Sequence, residues 1–151
     1  MGENFFTSKD AAKITGCTLR QLQYWREKGV IVPMVSATGT GRSVYYSRSE
    51  LVELSVMVYL LSVGLTFDSA SGVLQQLRAI EPNFAKEKSQ RRLMLVFDPS
   101  EGILRLKDFE RECAIAFLDQ GFPVIPLWLD RIYQQITNKL EETIPINGYP
   151  K

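Results

Sequence analysis

The sequence predicts a mainly α-helical chain with a small β complement, arranged in two parts, and three observations carry that prediction. Residues 8 to 46 set two short helix signals on either side of a Gly-containing turn, SKDAAKITGCTLRQLQYWREKG, and follow them with a basic, Gly-rich hairpin signal, SATGTGRSVYY. Apolar residues then recur at helical spacing from Leu51 onward. Beyond Pro82 the pattern changes to two apolar runs about a turn, followed by two amphipathic helices. The fold class expected is an N-terminal winged helix-turn-helix plus a small C-terminal α+β module of a β-hairpin and two helices.

Taken in order, the first helix starts at Ser8, whose hydroxyl suits the free amides of KDAAKIT, and stops at Gly16. Thr18 caps a second helix that runs to Lys28 and ends at Gly29. Residues three and four apart share a helical face, so Leu22 and Trp25 point one way while Arg20, Gln21, Tyr24 and Lys28 point mostly the other. The first face is core, and Trp25 belongs to it; the second is free for a ligand. In the major groove Arg pairs with guanine and Gln with adenine, each discriminating by about 1–3 kcal/mol. Arg20, Gln21 and Gln23 occupy the N-terminal half of the helix, the part that reaches base edges.

Pro33 prevents helix continuation, Gly39 and Gly41 allow a tight turn, and Val44, Tyr45 and Tyr46 favour a strand. Arg42, beside the tip, is set to touch a phosphate or the minor groove. Ser47 opens a third helix, with Glu50 completing a capping box, and Leu51, Leu54, Val58 and Leu61 form the stripe that backs the hairpin.

Over residues 5 to 78 the chain resembles the MerR family of transcriptional regulators. The resemblance rests on AAKITG, on TLRQLQYW followed by Gly29, on the GTGRSVYYS hairpin, and on VGLTFDSASGVLQQL, similar to the family's final helix pair with its turn at Gly64. It implies that Thr18, Arg20, Gln21, Gln23 and Tyr24 face DNA, and that Arg42 and Tyr46 serve the wing. The chain departs from the family where many members carry Arg-Tyr-Tyr and it has Gln23, Tyr24 and Trp25. It departs again at Val44, where many have an arginine two residues before the wing tyrosine.

The chain of 151 residues is 45% hydrophobic and 23% charged, as expected of a soluble globular protein with one domain or a domain and an appendage. It has no apolar run long enough to span a membrane and no secretion signal at its N-terminus, so a cytoplasmic, nucleoid-associated location is expected. The net charge of +1 is unevenly divided. Residues 1–48 hold seven Lys and Arg against three carboxylates, a balance of +4, which leaves −3 for the remainder. Localised positive charge is what attracts phosphates.

Cys17 and Cys113 lie far apart and the chain has no His, so neither a metal site nor a cofactor is expected. The missing His also removes the usual general base, and no phosphate-binding loop or nucleophile elbow is present, so no enzymatic activity is expected. The carboxylate pairs Glu110 and Glu112, and Glu141 and Glu142, read as solvated helix surface.

Residues 81–92 read as a polar connector after a first domain of residues 1–80, with Lys86, Lys88, Arg91 and Arg92 as a basic cluster. No sustained heptad follows. Residues 93–145 form the small module. RLMLVFDPSEGILRL is a hairpin, DFERECAIAFLDQG a helix capped by Asp108 and ended by Gly121, and a last helix aligns Leu129, Ile132 or Tyr133, Ile136 and Leu140. The module is too small for much core of its own, so it docks, dimerises or binds a partner or ligand, with the last helix as the preferred dimer contact. Phe109, Phe117, Phe122, Trp128 and Tyr133 are candidate pocket residues.

The functional expectation is a sequence-specific regulator of transcription that binds double-stranded DNA as a homodimer, with RNA polymerase or another protein as a candidate partner and no membrane association. Two alternatives predict different behaviour. An excisionase-like architectural factor binds tandem direct repeats, and a protein-interaction module binds no DNA.

Overall fold

The computed structural model describes residues 5–36, 43–86 and 88–143. The chain is mixed α and β, with six helices and two three-stranded antiparallel sheets among the described residues. It divides into two compact units, one holding the described residues up to Tyr59 together with those from Ile132, the other Leu60 to Arg131.

The first unit opens with strand β1 (Phe5–Thr7), helix α1 (Ser8–Thr15) and helix α2 (Leu19–Glu27), followed by strands β2 (Met34–Ser36) and β3 (Ser43–Ser47). Strand β3 lies between β1 and β2. The register sets Phe6 opposite Tyr46 and Val35 opposite Val44. Cross-strand partners point to one face, and Phe6 and Tyr46 are both buried there. The cap of α1 is Thr7 rather than Ser8. The Thr7 hydroxyl accepts the Asp10 amide at 3.2 Å, because Ser8 already lies inside the helix.

The turn between α1 and α2 is fixed from both sides. Gly16 adopts φ 85° and donates to the Ala12 carbonyl, while the Thr15 hydroxyl donates to the Ala11 carbonyl at 2.7 Å and accepts the Cys17 amide at 3.3 Å. A Cβ on Gly16 would lie 3.7 Å from Val58 on helix α3 (Arg48–Ser62), an ordinary contact, so the positive φ is what favours glycine there. At the other end of α2, the Val30 amide bonds the Trp25 carbonyl and the Gly29 amide bonds Arg26, a Schellman closure with Gly29 at φ 73°. Helix α3 starts in a capping box, Ser47 amide to Glu50 at 2.8 Å and Glu50 amide to Ser47 at 3.2 Å. Leu51, Leu54, Val56 and Met57 are fully buried.

The second unit contains helix α4 (Phe67–Ile80), strands β4 (Arg92–Asp98) and β5 (Ile103–Asp108), helix α5 (Arg111–Asp119) and strand β6 (Val124–Trp128). Thr66 caps α4 by accepting the Ser69 amide, and Ala70, Val73, Leu74 and Leu77 are its buried stripe. The expected hairpin of β4 and β5 is present, and VIPLW adds a third strand beside β4. Pro126 sits in that outer strand, where a missing amide costs no internal ladder bond. Beneath α5, Ala114 packs with Met94 and Val96, flanked by Cys113, Phe117 and Val124. The opposite edge of the sheet is closed by Gln76 of α4, whose amide donates to the Leu104 carbonyl at 3.2 Å and whose carbonyl accepts the Leu106 amide at 3.0 Å.

Two expectations for this region change. Asp108 does not cap α5, which has Glu110 at the cap position and no side-chain cap bond. The Asp108 carboxylate instead accepts Arg91 Nε at 2.9 Å, a charge-assisted bond that a neutral amide does not match. Arg91 also faces Glu81, and Arg92 holds Asp130 through two bonds while stacking 4.0 Å over Trp128. Half of the basic cluster is therefore committed internally.

The last helix, α6 (Leu129–Thr143), has the expected apolar stripe. Leu129, Ile132, Tyr133, Ile136 and Leu140 are all buried within the single chain, so this stripe is not an open face for a second copy.

Candidate nucleic-acid interface

Helix α2 is positioned by its apolar side and presents the other. Leu22 and Trp25 are buried. Half a turn round, Arg20, Tyr24 and Lys28 stand four residues apart on one exposed ridge. Tyr24 is 43% exposed, and the Lys28 ammonium lies 5.5 Å from its ring centroid. Arg20 is exposed, and its guanidinium has no ion pair among the described residues. This ridge carries five N–H donors of a guanidinium, an aromatic body and an ammonium within one short helix.

The polar residues beside the ridge are more constrained. Thr18 and Gln21 form a reciprocal capping box, each backbone amide bonded to the other's side-chain oxygen at 3.0 Å. Gln21 thus uses its carbonyl oxygen within the helix and keeps only its NH2 for a ligand. The Gln23 amide donates to Glu27 at 3.1 Å, which leaves the Gln23 carbonyl as a free acceptor and partly occupies the Glu27 carboxylate. Glu27 was not among the residues expected here, although the i, i+4 spacing of Gln and Glu is the signal for such a pair. Leu19 is the second addition, 53% exposed in the first turn of α2 and outside the Leu22–Trp25 stripe.

The hairpin residues divide. Arg42, Gly39 and Gly41 lie outside the described residues. Val44 and Tyr45 are half-buried, whereas Tyr46 is 1% exposed. Burial raises the Tyr46 hydroxyl pKa against the opposing charge of Arg26, and the hydroxyl has no hydrogen-bond partner among the described residues. Tyr46 is therefore buried opposite Phe6 in the sheet, while Thr18, Arg20, Gln21, Gln23, Tyr24 and Lys28 share one helix and its caps.

Burial pushes the Cys17 thiol up to about 11, only partly opposed by its hydrogen bond with Thr15, so at neutral pH it is a packed, protonated group. Among the described residues no cluster of His, Cys, Asp and Glu could hold a metal, and no helix is long and apolar enough to cross a membrane. A groove of about 390 Å³ in the second unit is lined by Asp68, Ser69, Gly72, Gln76, Phe97 and Ile103 among others, and by none of the five candidate pocket aromatics. Phe109 instead meets Trp128 edge-on at 6.0 Å, and Phe122 meets Phe97 at 5.9 Å.

Similarity to known proteins covers this same region. An uncharacterized HTH-type transcriptional regulator of Mycobacterium bovis is 31% identical over 74 residues, which are 48% of this chain and 33% of the relative. Two uncharacterized HTH-type transcriptional regulators of Mycobacterium tuberculosis match with the same figures. The chain thus spans about a third of the length of these relatives. The family model described as MerR HTH family regulatory protein matches residues 6–77, from the buried Phe6 of β1 to the last buried leucine of α4. What the comparisons show is therefore similarity, over residues 6–77, to the MerR family of helix-turn-helix regulatory proteins.

Proposed function

We propose that the chain is a sequence-specific regulator of transcription that binds double-stranded DNA in the MerR manner, as a homodimer on a partly symmetric site. The observation that carries the reading is the exposed Arg20–Tyr24–Lys28 ridge, set on a helix whose opposite face, Leu22 and Trp25, is locked into core. A rigidly backed helix with a cationic, donor-rich outer face fits the major groove.

In this reading Arg20 pairs with guanine, the free Gln23 carbonyl accepts from an exocyclic amino group, and Leu19 packs on a thymine methyl. Lys28 and Tyr24 hold phosphate, and the free NH2 of Gln21 makes a secondary contact. The β2–β3 hairpin is the wing, with Arg42 at phosphate or in the minor groove. Tyr46 acts from within the sheet, as the packed support that holds β3 against β1. Wing and helix together grip a stretch of duplex, and the dimer bends or twists the DNA between its half-sites.

Residues 1–80 supply the DNA-binding domain, residues 81–92 the connector, and residues 93–145 the module that governs assembly or recruits a partner such as RNA polymerase. The protein acts in the cytoplasm, on the nucleoid. Selection of bound duplexes from a random pool tests the reading. Enrichment of an inverted repeat is expected; enrichment of tandem direct repeats would point to an architectural factor, and no enrichment at low salt would overturn DNA binding.

A further inference from the structure

The expected dimer helix, α6, buries its own stripe, yet the second unit leaves a different helix face uncovered. On α5, Ile115 and Leu118 are each 51% exposed, although they flank the buried Ala114. The two side chains form a small apolar patch on one flank of the nine-residue helix, away from the Ala114 side that packs on the sheet. The charges beside them are arranged as well. Arg111 and Asp119 are exposed, lie one turn before and one turn after Ile115, and form no ion pair with each other or with any other described residue.

We infer that α5 is the contact between two copies of this chain, crossing its own counterpart antiparallel about a two-fold axis at Ile115. The pattern is self-complementary. With Ile115 on the axis, Arg111 of one copy meets Asp119 of the second, and Asp119 meets the second copy's Arg111, while Leu118 closes the apolar centre. A two-fold contact requires one patch to serve both sides, and the Arg–Ile–Asp ridge with equal spacing does so. Residues at i, i+4 and i+8 form the ridge used in the commonest helix crossing. A parallel crossing would oppose Arg111 to Arg111 and Asp119 to Asp119, which repels. The buried area of so short a helix is small, so the pair is a weak one, strengthened when two half-sites on DNA bring the copies together.

The inference rests on the dimer part of the function proposed above and not on its DNA contacts. Sedimentation equilibrium of the full chain from low to high micromolar concentration reads it directly. The wild type is expected to move from 17.2 kDa toward twice that mass. Ile115→Asp, Arg111→Glu and Asp119→Arg, all surface changes that leave the thermal melt unaltered, are expected to weaken association by roughly tenfold or more. An equimolar mixture of the two charge-reversed variants is expected to dimerise again, because both contacts then pair opposite charges. A wild type of monomer mass throughout, or a dimer indifferent to all three changes, would overturn the inference. Arg20-dependent binding of a single half-site by such a monomer would leave the DNA reading standing.

Discussion

The Thr18 and Gln21 side chains each accept the other's backbone amide at 3.0 Å, so the residue beside Arg20, the base reader we propose, is also the clasp of its helix. On the proposed DNA reading, stability and recognition are coupled at Gln21. Thr18→Ala should cost about 1 kcal/mol of unfolding free energy, the usual loss for an N-cap, and Gln21→Glu should keep the box closed. Urea unfolding followed by circular dichroism gives both values. Equal stability of Thr18→Ala and wild type would mean that the box contributes nothing in solution.

Trp25→Ala removes a large side chain that is 2% exposed in the core behind the same helix. The expected cost is about 3–5 kcal/mol, against less than about 0.5 kcal/mol for the exposed Arg20→Ala. Thermal melts separate the two, and a comparable loss in both variants would contradict the division of α2 into a core face and a free face.

Gln76 reaches across to the outer edge of the second sheet, bonding the Leu104 carbonyl and the Leu106 amide. Gln76→Ala should leave both strand groups unpaired, at about 1–3 kcal/mol, and free an edge that templates aggregation. Light scattering during refolding and the urea midpoint report the two effects. An unchanged midpoint would show that water replaces the side chain at no cost.

Asp98 gives a pH signature. The hydroxyl of Ser100 and the guanidinium of Arg105 hold its carboxyl at about 2, below the ordinary 3.8. A carboxyl depressed on folding stabilises the fold above its unfolded pKa, and that contribution disappears as pH falls through the folded value. Between pH 4 and pH 2 the wild type should therefore lose more melting temperature than Asp98→Asn. Parallel losses in the two proteins would rule out the depressed pKa.

The buried, protonated Cys17 should resist alkylation at pH 8, at which the half-buried Cys113 reacts first, and should label only on unfolding. Mass spectrometry of a time course distinguishes the sites. Rapid labelling of Cys17 in the folded protein would contradict its placement.

The parts legible in the sequence are those with local causes. Leu22 and Trp25, the caps at Thr18 and Ser47, and the glycines that end helices all follow from neighbours within four residues, and each has its expected place. The misplaced caps show where local signals fail. Thr7 and Ser8 offer equivalent hydroxyls to accept the helix amide, so the boundary moved by one residue. Asp108 is drawn away by Arg91, 17 residues distant, which no cap pattern records.

Alternation alone does not say which of Tyr45 and Tyr46 faces inward. The pairing of β3 with β1 decides it, and β1 is three residues long with no periodicity to detect. Likewise the stripe of α6 was evident from spacing, but its burial within the chain depends on contacts the pattern does not contain.

The salt dependence of binding separates phosphate contacts from base contacts. Lys28→Ala should weaken binding to selected and scrambled duplexes alike and reduce the slope of log affinity against log salt by about 1. A loss confined to the selected duplex would move Lys28 into the group that reads bases.

The central claim is that the outer face of α2 reads DNA sequence, and the ratio of affinities for a selected and a scrambled duplex measures it most directly. Fluorescence anisotropy at fixed salt should show that Arg20→Ala lowers this ratio by about 1–3 kcal/mol, roughly five- to 150-fold, while the melting temperature stays at the wild-type value. An unchanged ratio in a folded Arg20→Ala protein would contradict the account.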